Sequence, residues 1–161
     1  MSTDHINKND VELDALYRDT VLDHFRSPRG RKTLDRVDLT RLGHNPVCGD
    51  HLSLSLKFDG DRIADLAVET KGCAISVASG SMLAEMIGGM TKDEALKLAE
   101  TFRAVMHGQP APKDFDLGDL DSLEGVKNFP VRVKCALLAW MTLLDALSGK
   151  TDEQGVTVTE D

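Results

Sequence analysis

No apolar run in this sequence approaches the roughly 20 residues that a membrane-spanning helix needs. Its opening stretch, MSTDHINKNDVELD, is polar and acidic, and lacks the basic-then-apolar form of a secretory signal. These two absences lead to the expectation of a soluble, cytoplasmic chain with no membrane partner. Basic residues are in the minority, 19 against 27 acidic, for a formal net charge of -8. That balance disfavours nucleic acid or an anionic lipid surface as a main partner and leaves a basic protein surface open. Cysteine is scarce as well. Three thiols and no C-x-x-C pair argue against a disulfide framework and against a zinc-finger spacing, and are compatible with reduced thiols. Internal repeats and low-complexity stretches are absent. What is present, 161 residues with 41% hydrophobic content, is enough for one core and too little for two ordinary domains.

The expected organisation is a flexible N-terminus over 1–10, a single domain over 11–149 and a disordered acidic tail over 150–161. Leu13, Leu16, Tyr17, Val21 and Phe25 recur at spacings of three and four, one apolar face of a helix that Ser27-Pro28 and Gly30 stop. The pattern then changes to period two in Leu52, Leu54, Leu56 and Phe58. Asp59-Gly60-Asp61 and a second run from Ile63 to Glu69 follow, which is a hairpin signature. A segment around Leu39 to His44 supplies a third strand. After Gly72 the chain reads helical. A small-residue helix runs from Cys73 to Ile87 and ends at Gly88-Gly89. Thr91 with Glu94 opens the next with a capping box, and its apolar face is Ala95, Leu98, Ala99, Phe102 and Met106. The acidic stretch 111–129 reads as an inserted loop with one helical turn around Leu120 to Leu123. Pro130 then starts a last helix carrying Cys135, Leu138, Trp140 and Leu144.

The cysteines stand 25 and 62 residues apart, and spacing alone does not unite them. Their settings are more telling, because each falls at a junction between elements. Cys48 and Asp50 share a turn in which Gly49 permits tight geometry, so both can face one ion. Cys73 and Cys135 lie near helix starts, where the dipole favours thiolate, and Lys134 offers a cation beside Cys135. Three thiolates and a carboxylate suit tetrahedral Zn2+ and can equally hold iron and sulfide. Free cysteines also pack as small hydrophobes, Asp50 can be an ordinary turn residue and Lys134 a solvated one. Among the histidines, His5 and His107 read as surface and His24 as packed or locally hydrogen-bonded. His44 and His51 flank the Cys48 turn, as groups that support the ligands.

Taken together, Tyr17-Arg18, Asp23-His24-Phe25, Pro28-Arg29, the run Asn45-Pro46-Val47-Cys48-Gly49-Asp50, the stretch from Gly72-Cys73 to Met82 and Phe129-Pro130-Val131-Arg132-Val133-Lys134-Cys135 resemble the IscU/SufU family of iron-sulfur cluster assembly proteins, also known as NifU N-terminal-like. The resemblance spans about Leu16 to Trp140. It implies an α+β fold, a small antiparallel three-stranded sheet with helices packed on it, and one site made by Cys48, Asp50, Cys73 and Cys135. Lys134, where the scaffold branch has histidine, and an extra segment over 105–125 are similar to the SufU branch. That branch implies a zinc-dependent sulfur carrier: Cys48 as the catalytic thiol, Zn2+ as cofactor, and Lys134, Gly49 and His51 as supporting or thiolate-stabilising residues. The implied partners are a cysteine desulfurase of the SufS type and a downstream SufBCD-type assembly complex. Two alternatives stay open, a scaffold for a transient iron-sulfur cluster on the same ligands and a binding module with purely structural zinc.

Overall fold

The computed structural model describes residues 19–148 and the backbone of Val156–Thr157. The expectations for 1–10, and for the first helix up to residue 18, lie outside the described residues. Helix α1 spans Asp19–Arg26. Val21 is buried, but Phe25 is 41% exposed and His24 is buried in its place. The buried face is therefore turned toward the polar side chain, because Ser81 and Asp119 satisfy both ring nitrogens of His24 at 2.7 and 2.8 Å. A buried imidazole paired this fully avoids the desolvation cost of an unmade hydrogen bond.

Strands β1 (Leu39–Asn45), β2 (Asp50–Asp59) and β3 (Arg62–Lys71) form an antiparallel meander. Leu52, Leu54 and Leu56 point into the core and Ser53 and Ser55 point away, as period two requires. Phe58, expected in the same inward set, is only half-buried. A register shift between Lys57 and Phe58 breaks the alternation there, and the Lys92 ammonium sits 4.3 Å above the ring. A two-residue strand β4, Val156–Thr157, pairs parallel to β1 at Gly43 and His44. It lies within the stretch expected to be a disordered tail. Its two residues are β-branched, and the acidic composition around them had hidden that strand preference.

After the sheet come α2 (Ala74–Ile87), α3 (Lys92–Met106), the 3-10 helix Gly118–Asn128 and α4 (Pro130–Ala146); α2 and α4 pack on the inner face of the sheet, and α3 and the 3-10 helix pack behind them against α4. The capping box of α3 is complete, with Thr91 Oγ1 accepting from Glu94 N–H and Glu94 accepting from Thr91 N–H. All five residues of its expected apolar face are buried. Trp140 is fully buried between α2 and α3. Its indole N–H donates to Ser79 Oγ at 3.1 Å, and that hydroxyl donates to the Ala136 carbonyl at 2.6 Å.

The segment expected to be an inserted loop is a correction to the sequence reading. Leu117, Leu120, Leu123 and Val126 are all buried in the same core cluster as Trp140. They recur every three residues, the period of a 3-10 helix rather than an α-helix, so one edge of a strongly acidic stretch is apolar. Each leucine buried in this way contributes about 1.5–3 kcal/mol.

Candidate metal centre

The centre begins in the β1–β2 turn. Asn45 and Asp50 are directly opposite one another in the strand register, and the four residues between them must reverse the chain. Gly49 does this with φ of +72°, a conformation costly for residues with a side chain, and its N–H donates to the Asn45 carbonyl at 2.8 Å. The Asn45 side chain accepts from Val47 N–H at 3.2 Å. Cys48 is thereby presented half-buried at the tip, next to Val47, which is 54% exposed.

Asp50 is fully buried. Its Oδ1 accepts the Cys73 N–H at 3.0 Å and its Oδ2 accepts from Asn45 Nδ2 at 3.3 Å. Such a carboxylate is costly to bury unless it is hydrogen-bonded and paired with positive charge. Gly72 leaves the room it needs, for a Cβ there would lie 2.7 Å from Asp50 Cγ.

The thiols converge from three elements. Cys73 is the N-cap of α2, its sulfur accepting from Ser76 N–H at 3.5 Å. Cys135 is fully buried, donates its S–H toward Cys48 Sγ at 3.3 Å and accepts from Asn45 Nδ2 at 3.5 Å. Hydrogen bonding from Cys135 pulls the Cys73 thiol down to about 5, assisted by Ser76, while the same bond and burial hold Cys135 protonated. One ligand atom each from Cys48, Asp50 and Cys135 fall within 4.8 Å of one another. Cys73 stands outside that tight trio and is joined to it through its backbone N–H, which donates to Asp50.

Several sequence-derived placements change. Cys135 is the sixth residue of α4, not in its first turn, so the unpaired N–H groups of that helix end do not reach it. His51 does not face the site. Strand alternation sends Asn45 and Asp50 inward and His44 and His51 to the opposite face, where the two rings stack with centroids 4.4 Å apart. Lys134 is half-buried. A cation that senses the thiols is Arg132: partly desolvated, its guanidinium is nonetheless held above its ordinary value by hydrogen bonding to Cys135 and by the negative charge on Cys73. Sequence reading missed it, although Arg132 precedes Cys135 by one helical turn, a spacing that places two side chains on one face.

The donor set passes a chemical test for a thiophilic divalent ion. Sulfur ligands from Cys48 and Cys135 and a buried carboxylate oxygen converge from rigid elements, with a third sulfur adjacent, which matches the N/S/O preferences of Zn2+ and of iron bound with sulfide. His24, Glu85 and Asp119 also lie together, but Arg29 pairs with Glu85 at 3.0 Å and Asp119 with the imidazole, so that group is satisfied by hydrogen bonds. Among the described residues no helix is long and apolar enough to cross a membrane.

A three-stranded antiparallel meander extended by the short parallel β4, helices on one face and a thiol-carboxylate cluster at their junction define a class of small α+β proteins built around a thiol-rich centre. Residues 16–136 match the family described as NifU-like N terminal domain. The chain is 42% identical over 146 residues to the iron-sulfur cluster assembly scaffold protein IscU of Streptococcus pyogenes, covering 91% of each chain. It is 40% identical over 133 residues to the zinc-dependent sulfurtransferase SufU of Bacillus subtilis, covering 83% of this chain and 90% of that one. The crystal structure of FiSufU from Fervidobacterium islandicum, a SUF-system assembly scaffold by its description, superposes with a TM-score of 0.78 at 37% identity over 83% of this chain and 97% of that one. The chain therefore belongs to the NifU-like N-terminal domain family, as an IscU/SufU-like member.

Proposed function

We propose that this protein serves iron-sulfur cluster assembly in the cytoplasm as a sulfur carrier, with Cys48 as the acceptor thiol. The observation that carries the reading is the contrast between the thiols. Cys135 is buried and Cys73, half-buried like Cys48, is engaged as the cap of α2, whereas Cys48 is carried on a tight turn at the rim of the cluster. Exposed Val47 beside it and Val131 at the start of α4, 54% and 50% accessible, give that rim an apolar surface on which a donor protein can seat.

In the transfer, the Cys48 thiolate attacks the terminal sulfur of a persulfide on a cysteine desulfurase of the SufS type. The donor's S–S bond breaks, a Cys48 persulfide forms, and the donor cysteine leaves as thiolate, so no external oxidant or reductant is needed. A second exchange of the same kind hands the sulfur to a SufBCD-type complex. The residues around Cys48 prepare it. Asn45 and Gly49 fix the turn, and Arg132 supplies positive charge. Cys48, Asp50, Cys73 and Cys135 would hold Zn2+, which when bound favours the thiolate form of its sulfur ligands at neutral pH. Asp50, an oxygen donor among sulfurs, makes that set less thiolate-rich than four cysteines would be. The 40% identity to a zinc-dependent sulfurtransferase supports this reading. The 42% identity to a scaffold protein favours a second one, in which the same four residues hold a transient iron-sulfur cluster.

The test is the rate of a SufS-type desulfurase with this chain zinc-loaded, zinc-stripped, or carrying Cys48→Ala. Stimulation that needs both zinc and Cys48 is the expected result. No stimulation by the zinc form, with a stoichiometric and transferable cluster forming on anaerobic reconstitution, would replace the carrier reading with the scaffold one.

A further inference from the structure

The face of the sheet opposite the thiols holds a second set of donors. His44 and His51 are directly opposite residues of β1 and β2, and their rings stack at 4.4 Å with planes 12° apart. His44 is half-buried and His51 exposed. Neither imidazole has a hydrogen-bond partner among the described residues, so no described group competes for their ring nitrogens. Beside His51 lies an open depression of about 270 Å³ that also includes Ser53, Glu69 and Lys71. Glu69 pairs with Ser53, which places its carboxylate diagonally from His51 on the same face, within reach of a long side chain.

We propose that His44 and His51 form a solvent-facing site for a divalent transition-metal ion that prefers imidazole, such as Ni2+, Cu2+ or Zn2+. Metal-imidazole nitrogen distances are about 2.0–2.1 Å, so two nitrogens on adjacent coordination positions of one ion lie roughly 3 Å apart. Directly opposite residues of adjacent strands hold their Cβ atoms about 4.5–5.5 Å apart, so each ring can turn one nitrogen toward a common ion from a fixed pair of backbone positions. The backbone positions are rigid, because β2 is flanked by β1 and β3 on either side, and little ordering remains to oppose binding. Water completes the coordination, with Glu69 as an anionic donor when it leaves the exposed Lys71 ammonium 3.9 Å away. Hard cations such as Mg2+ and Ca2+, which favour all-oxygen ligands, do not fit this pair. A bound ion would tie β1 to β2 one register position from Asn45 and Asp50, stiffening the base of the turn that carries Cys48. The inference does not depend on the proposed function, since the two sites occupy opposite faces of one strand pair.

The experiment is calorimetric titration of Ni2+ into the full chain already holding one equivalent of Zn2+ under reducing conditions, alongside His44→Asn, His51→Asn, His5→Asn and His107→Asn. One further Ni2+ equivalent is expected to bind. Each of the first two substitutions should weaken it at least about tenfold, the lower end of what loss of even a supporting group costs a metal site, and the last two should leave it unchanged. In the unsubstituted chain, paramagnetic Ni2+ should broaden the imidazole nitrogen resonances of His44 and His51 together. No binding beyond the first zinc, or binding indifferent to His44→Asn and His51→Asn, or broadening at His5 or His107 instead, would overturn the proposal.

Discussion

Gly72→Ala is the substitution that most directly interrogates the centre. An added Cβ would stand 2.7 Å from Asp50 Cγ and 2.9 Å from Asp50 Cβ, and closer still to Oδ1. Were Asp50 a mobile surface side chain, it would swing aside at little cost. It is instead fully buried and held by Cys73 N–H and Asn45 Nδ2, so relief requires displacing the strand end or breaking a charge-assisted bond. Overpacking costs about 1–3 kcal/mol and a hydrogen bond to a charged group about 1.5–3 kcal/mol. Because one displacement relieves the first by incurring the second, the expected loss is about 2–4 kcal/mol rather than their sum. Denaturant unfolding of the zinc-free chain measures it, and chelator competition should show zinc affinity falling at least about tenfold, since the Asp50 carboxylate moves with the clash. The decisive control is a double-mutant cycle with Asp50→Ala, which removes Oδ1 and Cγ, the two closest atoms, and leaves only the 2.9 Å approach to Cβ. A coupling of about 0.5–3 kcal/mol between the two sites is expected. A Gly72→Ala chain within experimental error of the parent in both stability and zinc affinity, or full additivity in the cycle, would refute the account of Gly72 as the space-maker for Asp50.

Three further outcomes are expected. Leu123→Ala should destabilise by about 2–5 kcal/mol in denaturant unfolding, as a core leucine does; a change below about 0.5 kcal/mol is what a surface loop would give. Ser79→Ala should cost about 1–3 kcal/mol by stranding the buried Trp140 N–H, and Ser79→Thr, which keeps the hydroxyl, should recover part of it if the added methyl is accommodated. Glu94 is held below its ordinary 4.5 by the Thr91 backbone N–H and hydroxyl. Its contribution to stability is therefore complete above that value and lost as pH falls through the lower folded one, so Glu94→Gln should flatten the acid limb of a stability-pH profile at that end.

Where the sequence was informative, a single physical rule governed several residues at once. Leu52, Leu54 and Leu56 could only alternate as one face of a strand, and Thr91 with Glu94 could only close a capping box ahead of an apolar face. The centre was legible for another reason: the turn glycine between Cys48 and Asp50 and the glycine before Cys73 mark backbone that must bend or approach closely. What escaped was decided by partners far along the chain. His24 is buried ahead of Phe25 because Ser81 and Asp119, 57 and 95 residues away, satisfy it. Leu117, Leu120, Leu123 and Val126 repeat at a spacing rare enough that an acidic background concealed it. His51 was assigned by nearness in sequence to Asp50, and the pleat of the strand sends adjacent residues to opposite sides.

The donors of the centre come from a turn between strands, the cap of one helix and the second turn of another, and Asp50 is fixed by a backbone N–H that exists in position only once α2 has docked on β2. A nascent or partly opened chain thus carries three separate thiols and an ordinary carboxylate, none with the others' company. Metal captured at this junction is accordingly a chemical certificate that the strands and both helices have finished assembling, and its release would announce that one of them has let go.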